Sequence, residues 1–309
     1  MKLPDVALET HLKNTPLDWV GMEGIRLPLS WDLQGAKDRL PPVSVLSEVS
    51  AYVSLDLSES RGIHMSRLYL SVQKLSENPA LTWKDLEFTL QEFLEHHREL
   101  SRSARLVLEF QMPLQRRSLK SQISSWKTYP FKIDMEKVRD GQDFQKAAIQ
   151  FCVEYSSTCP ASAALAREAQ RENFRAHFQA KSEISAGEIE DFLSSSQGLF
   201  ATPHAQRSLA TVTLNYKNLN PLSFSDVIQK IDGVESALKT PVQGAVKRVD
   251  ELEFAKLNGQ NTMFCEDAAR RISAYFESQS DLENYLIKVE HFESLHPHNA
   301  VAFARKNKK

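Results

Sequence analysis

Val49-Ser50-Ala51-Tyr52-Val53-Ser54-Leu55-Asp56-Leu57 alternates apolar and polar residues without a break. That period of two belongs to a β-strand with one buried face. Downstream, a helix is expected over 65–74. A second begins after Thr82, a good N-cap, with Leu86, Leu90, Phe93 and Leu94 on one face. Strands are expected again at 104–110 and 131–135. The order then recurs. Ile149, Phe151, Val153 and Tyr155 alternate with Gln150, Cys152 and Glu154, and 209–216 is a further alternating run rich in Thr and Val. Helices follow near 225–238 and 261–276, the latter burying Phe264, Ala268, Ile272 and Phe276, and strands near 284–291 and 300–304 close the chain. Strands, helices and strands, twice over, define an α+β fold of two tandem antiparallel-sheet-plus-helices modules, 1–145 and 146–309.

Two stretches depart from this order. Residues 1–45 hold Pro4, Pro16, Pro28, Pro41 and Pro42 and read as extended and loop-rich. Residues 163–203, rich in Ala, Ser, Glu, Gln and Arg and helical around 163–179, read as a surface insertion in the second module.

With 309 residues, 41% hydrophobic and 25% charged, the chain has the composition of a soluble globular protein. The net charge of −2 gives no pull toward nucleic acid or an anionic membrane. Three cysteines, Cys152, Cys159 and Cys265, make no disulfide framework and favour a reducing compartment. Asp5, Glu9 and Lys13 stand where a signal peptide needs an apolar run, and no stretch reaches the roughly 20 apolar residues of a membrane span. A cytoplasmic protein is expected, with Lys306–Lys309 as a solvated tail. No phosphate-binding glycine loop, dinucleotide fingerprint or serine elbow is present, and ten glycines in all fit those folds poorly.

Several residues could carry chemistry, each with a plainer reading. Cys159 ends a strand before Pro160; most free cysteines are small buried hydrophobes, a description that suits Cys152 and Cys265 better. His204 precedes a strand, where a solvated loop histidine is the plain account. Glu251 sits in the charged run Lys247-Arg248-Val249-Asp250-Glu251. A Cys–His–Glu set would suit a divalent metal with a fourth position left for water, though spacing alone does not bring the three together. Glu266 and Arg270 could be a surface i,i+4 ion pair. His296-Pro297-His298 is not demanded by any turn, and histidine donates protons near neutrality or ligates metal. Ser66 and Arg67, at the start of the first helix, could meet a phosphate or simply cap the helix.

Taken together, these pieces resemble the type IB GTP cyclohydrolases. The resemblance rests on fragments in the family's order: Gly62-Ile63-His64-Met65-Ser66-Arg67, Cys159-Pro160-Ala161-Ser162, His204-Ala205-Gln206-Arg207-Ser208, Thr240-Pro241-Val242-Gln243, Val246-Lys247-Arg248, Asn258-Gly259-Gln260-Asn261, Glu266-Asp267-Ala268-Ala269-Arg270 and His296-Pro297-His298. It implies the tunnelling fold, in which antiparallel sheets join across subunits into a barrel, with a homo-oligomer, expected to be a tetramer. It also implies GTP as substrate, 7,8-dihydroneopterin triphosphate and formate as products, and a place at the start of folate and pterin synthesis. Cys159, His204 and Glu251 fall on the family's metal ligands, for Zn, Mn or Fe. Glu266 falls on the guanine anchor, and His296 and His298 on the proton-transfer histidines. Ser66, Arg67, Arg207 and Lys247, with Lys120, are triphosphate candidates by their charge or hydroxyl. Two departures stand out: Ala161 occupies a position where members often have a second cysteine, and 163–203 separates Cys159 from His204. Two other readings are a non-catalytic nucleotide-binding oligomer and another purine or pterin enzyme using Cys159 as nucleophile, such as the nitrile reductase of deazapurine synthesis.

Overall fold

The computed structural model describes residues 15–33, 42–57, 60–139, 144–216 and 223–306. Asp5, Glu9 and Lys13, and the tail beyond Lys306, lie outside them. Its elements run β1 (Leu17–Trp31), β2 (Val43–Leu55), α1 (Met65–Glu77), α2 (Trp83–His96), β3 (Ser103–Arg117), β4 (Ser124–Val138), β5 (Phe144–Thr158), α3 (Pro160–Phe178), α4 (Ala186–Ser194), β6 (Ala205–Asn215), α5 (Phe224–Leu238), α6 (Arg248–Gln260), α7 (Cys265–Glu277), β7 (Asn284–His291) and β8 (Ala300–Arg305). The strands pair in chain order into one antiparallel sheet of eight, with β1 and β8 at its edges. Helices α1 and α2 separate the second strand from the third, and α5, α6 and α7 separate the sixth from the seventh.

One face of the sheet and the buried sides of α1, α2, α5 and α7 form a single apolar core. The alternation read at 49–57 is seen in β2, where Val45, Val49, Ala51 and Val53 are buried, although the strand starts earlier and ends at Leu55. Thr82 opens α2 as expected, its backbone N–H bonding the Asp85 carboxylate at 2.7 Å. A file of rings crosses the middle of the sheet. Trp31 lies 5.2 Å from Phe110, Phe110 lies 5.4 Å from Phe131 and Phe131 lies 6.1 Å from Phe151, while Phe224 of α5 packs 5.0 Å from Trp31. Each fully buried ring contributes about 2–3 kcal/mol of transfer free energy. Because the file joins strands from both halves of the chain, those halves share their interior.

Three expectations need correction. The proline-rich start is not loop throughout: β1 occupies Leu17–Trp31, and Pro28 fits because it pairs with Leu46 in an edge strand, where a missing N–H costs little. Helix α6 was not foreseen, because Asp250 is its only buried residue and no apolar stripe marks it. The next helix, α7, begins at Cys265 rather than 261, with Phe264 exposed at its N-cap. The insertion does form a satellite. Phe174, His177, Phe178 and Phe192 of α3 and α4 pack on one another, Phe174 to Phe178 at 4.8 Å, outside the main core.

Candidate active site

The ends of the insertion are clasped. Cys159 is the N-cap of α3, and its Sγ accepts the Ser162 N–H at 3.5 Å, with Pro160 in the first helical turn. The Cys159 N–H donates to the His204 carbonyl at 3.2 Å, and the His204 N–H donates to Ser162 Oγ at 3.0 Å. Residues 163–203 therefore loop out while Cys159 and His204 stay adjacent, at the end of β5 and the start of β6. The structure thus brings the backbones of these two motif residues together.

Beneath them lies a buried polar network. His204 Nδ1 sits 3.0 Å from Gln206 Oε1 and 3.7 Å from Glu293 Oε2. Gln206 Nε2 donates to Ser157 Oγ at 2.9 Å, and Ser157 Oγ lies 2.8 Å from Ser208 Oγ and 3.2 Å from His291 Nδ1. His291 Nε2 meets the Tyr155 hydroxyl at 2.9 Å. Burial pushes His291 down to about 4, with the Glu266 carboxylate pulling weakly the other way, so the ring is neutral near pH 7. Burial likewise raises the Tyr155 phenol far above its ordinary range.

Tyr155 and Gln206 also line a cavity of about 460 Å³, within the range of small-ligand sites, together with Arg207, Gln243, Glu251 and Phe254. Glu251 is set there by its neighbour. Asp250, fully buried, accepts hydrogen bonds from the backbone N–H groups of Lys120 (2.7 Å), Ser121 (2.9 Å) and Lys247 (2.8 Å) and from Ser121 Oγ (2.5 Å). Burial opposes its charge, but these donors outweigh it and hold the carboxyl far below the usual range. The turn after β3 is thus tied to the start of α6, and Leu119 N–H adds a bond to Gln243 Oε1 at 2.9 Å. The Asn258–Asn261 motif is a second tie. Asn258 Oδ1 accepts from Ser156 Oγ at 2.8 Å, and Asn261 receives Arg271 Nη1 at 2.6 Å.

The remaining residues are placed as follows. Glu266, exposed in the first turn of α7, is held ionised by its own backbone N–H and by the Cys265 thiol at 3.3 Å, while burial pushes that thiol up to about 11. Arg270 pairs with Asp267 at 3.3 Å, so the Glu266–Arg270 ion pair is not what forms. His296 and His298 stack at 5.1 Å on the exposed turn between β7 and β8. Ser66 and Arg67 are exposed at the start of α1, where Arg67 Nη1 donates to the His96 carbonyl at 2.6 Å. Lys247 is exposed at the N-cap of α6. Glu251 borders the cavity without closing on the other two donors: among the described residues, no three Cys, His, Asp or Glu side chains of one chain form a metal-holding group. The donor chemistry nonetheless fits a borderline divalent ion: a thiol and an imidazole come from residues whose backbones are hydrogen-bonded, Gln206 already partners one imidazole nitrogen, and a carboxylate stands on the neighbouring cavity rim. Sequence reasoning gave Gln206, Asp250, His291 and Glu293 no role. Of these, His291 carried a periodicity signal, through the inward parity it shares with Val289 and Ile287 along β7.

The architecture is shared with solved uricases: one from Bacillus fastidious superposes with a TM-score of 0.55 at 9% identity over 93% of this chain and 92% of that one. The uricase from Arthrobacter globiformis gives 0.51 at 7% identity over 95% and 94%. At such identity the likeness concerns the fold, which is the tunnelling fold. The family model described as type I GTP cyclohydrolase folE2 matches residues 3–302. The GTP cyclohydrolase FolE2 of Hydrogenovibrio crunogenus is 44% identical over 99% of this chain and 94% of its own length, and that of Bdellovibrio bacteriovorus 44% over 99% and 97%. The chain belongs to the type I GTP cyclohydrolase folE2 family.

Proposed function

We propose that this chain is a GTP cyclohydrolase of the IB type, converting GTP and water to 7,8-dihydroneopterin triphosphate and formate at the entry to pterin and folate synthesis in the cytoplasm. The observation that supports the reading is the Cys159–His204 clasp, which sets the backbones of two candidate ligands together across a looped-out insertion beside a cavity large enough for a purine. Cys159, His204 and Glu251 would hold a divalent ion, Zn, Mn or Fe. When bound, the ion supplies a water acidic enough to attack C8 of guanine near neutral pH.

The chain's own groups then divide the work. Glu266, ionised and exposed, accepts hydrogen bonds from N1–H and the exocyclic amine of guanine, a donor pair that adenine lacks. His296 and His298, open to solvent, exchange the protons that ring opening demands. Arg207 on the cavity wall, with Lys247, Arg67 and Ser66, meets the triphosphate. Neither the two histidines, Glu266, Lys247 nor the Ser66–Arg67 pair lines this chain's cavity, and we read the site as one that a second copy completes. This favours a homo-oligomer, with a tetramer as the working form.

The test is GTP turnover by chelator-stripped protein, with and without Mn²⁺ or Zn²⁺, followed by formate release and the fluorescence of oxidised neopterin. Metal-dependent formation of both products is expected, and Cys159→Ala should lose metal and activity together while staying folded. Normal turnover by Cys159→Ala would overturn the metal assignment. Tight GTP binding without formate under either metal would leave a nucleotide-binding protein or an enzyme using Cys159 as nucleophile.

A further inference from the structure

Neither Gln206 nor Glu293 has a part in the scheme above, yet both face the same atom. His204 Nδ1 has Gln206 Oε1 at 3.0 Å and Glu293 Oε2 at 3.7 Å. A carboxylate only accepts hydrogen bonds, so a ring nitrogen placed between two oxygens is the one that bears hydrogen. On its other side the Gln206 amide places Nε2 2.9 Å from Ser157 Oγ, to which it donates.

Ser157 can take that donor because of the loop it sits in. It has one hydrogen and two lone pairs. One consistent assignment sends the hydrogen to Ser208 Oγ at 2.8 Å and gives the lone pairs to Gln206 Nε2–H and His291 Nδ1–H, the latter at 3.2 Å. His291 Nε2 then accepts the Tyr155 O–H at 2.9 Å. In that assignment every polar atom on the path is paired. Reversing the Gln206 amide would turn an N–H toward His204 Nδ1 and set that nitrogen's lone pair beside the Glu293 carboxylate, a repulsive arrangement in a site where the Glu293 side chain is only 14% exposed.

We propose that Gln206 and Glu293 are positioning residues that hold His204 as the Nδ1–H tautomer and leave its Nε2 lone pair to take a metal ion. The proposal rests on the reading of His204 as a metal ligand. Its physical content is the outer-shell effect: an acceptor behind a ligating imidazole fixes tautomer and ring angle and raises basicity, and its loss typically weakens metal binding by about 10- to 100-fold. The buried Tyr155–His291–Ser157–Ser208 group is the rigid backing that keeps Gln206 in place.

The experiment uses full-length, metal-free protein labelled with ¹⁵N-histidine, in which His204 is assigned by the signal lost in His204→Ala. Long-range proton–nitrogen correlation at alkaline pH should show the Nδ1–H pattern for His204. Gln206→Leu should shift it toward Nε2–H and weaken Zn²⁺ binding by about 10- to 100-fold in a chelator competition. Gln206→Glu, which keeps an acceptor behind the ring, should restore the Nδ1–H pattern; a role in packing alone would give no such rescue. An Nε2–H pattern in the unsubstituted protein overturns the proposal, as does an unchanged tautomer and Zn²⁺ affinity in Gln206→Leu. The Nδ1–H pattern in a protein that binds neither Zn²⁺ nor Mn²⁺ upholds the positioning role and removes the metal reading instead, so the two fail separately.

Discussion

His291 is 2% exposed, with one ring nitrogen against the Tyr155 hydroxyl and the other against Ser157. Its pKa of about 4 in the folded chain, set first by burial, stands against an ordinary value near ~6.5. The unfolded chain therefore takes up a proton as pH falls through ~6.5, while the folded chain resists until about 4. Stability from the neutral ring is complete above ~6.5 and drains away as pH falls toward 4, with a limiting slope of ~1.4 kcal/mol per pH unit. Thermal unfolding from pH 7 to 4 should show this decline, and His291→Asn, which cannot titrate, should flatten it. An equally steep decline in His291→Asn would place the acid sensitivity elsewhere. Such residues differ in how far sequence reveals them. His291 shares the inward parity of Val289 and Ile287 in β7, so its burial is legible. Asp250 is not, because its partners Lys120 and Ser121 approach from a distant turn and nothing local separates it from a surface acid. Cys159 and His204 were legible only as family motifs, and their adjacency depends on how the 163–203 segment folds.

Among the elements, β1 shows how an edge strand hides. It pairs with β2 from Leu17 to Trp31 but shifts register between Met22 and Ile25, and Gly24 within that bulge has φ +71°. Nothing lies within 4 Å of a Cβ built there, so a side chain would meet no clash. The cost of Gly24→Ala is then backbone alone, the ~1–2 kcal/mol of a left-handed non-glycine residue. Denaturant unfolding should show a lower midpoint at unchanged slope. A midpoint at or above that of the unsubstituted protein would mean that the bulge relaxes and does not specify the β1–β2 register. This same irregularity, with Pro28 on the strand, broke the alternation that marks β2 and β5. Helix α6 escaped notice for a different reason: what anchors it is the Asp250 hydrogen bonds and Asn258 rather than an apolar face. Periodicity reports burial of apolar side chains, so elements held by polar ties fall outside its reach.

For the molecule as a whole, the sheet that follows chain order leaves β1 and β8 as free edges on opposite sides. Free edges with apolar side chains invite pairing. On β8, Val301 is 50% and Phe303 64% exposed, and the His296–His298 turn leads directly into this strand. If β8 meets an edge of a second copy, that copy lies beside the histidines and can supply the walls they lack. Assembly and catalysis should then fail together. Light scattering of the unsubstituted protein should give a multiple of the 35.1 kDa chain mass. Val301→Glu with Phe303→Glu should reduce it to the single-chain value with the helix signal in circular dichroism retained, and GTP turnover should fall by at least ~100-fold, the scale of losing a positioned acid or base. The same double variant should still bind Zn²⁺ if Cys159, His204 and Glu251 of one chain suffice, which separates the metal site from the completed active site. A fully active single-chain species would sink the idea that the site is shared, and His296 and His298 would then have to reach the substrate from within their own chain.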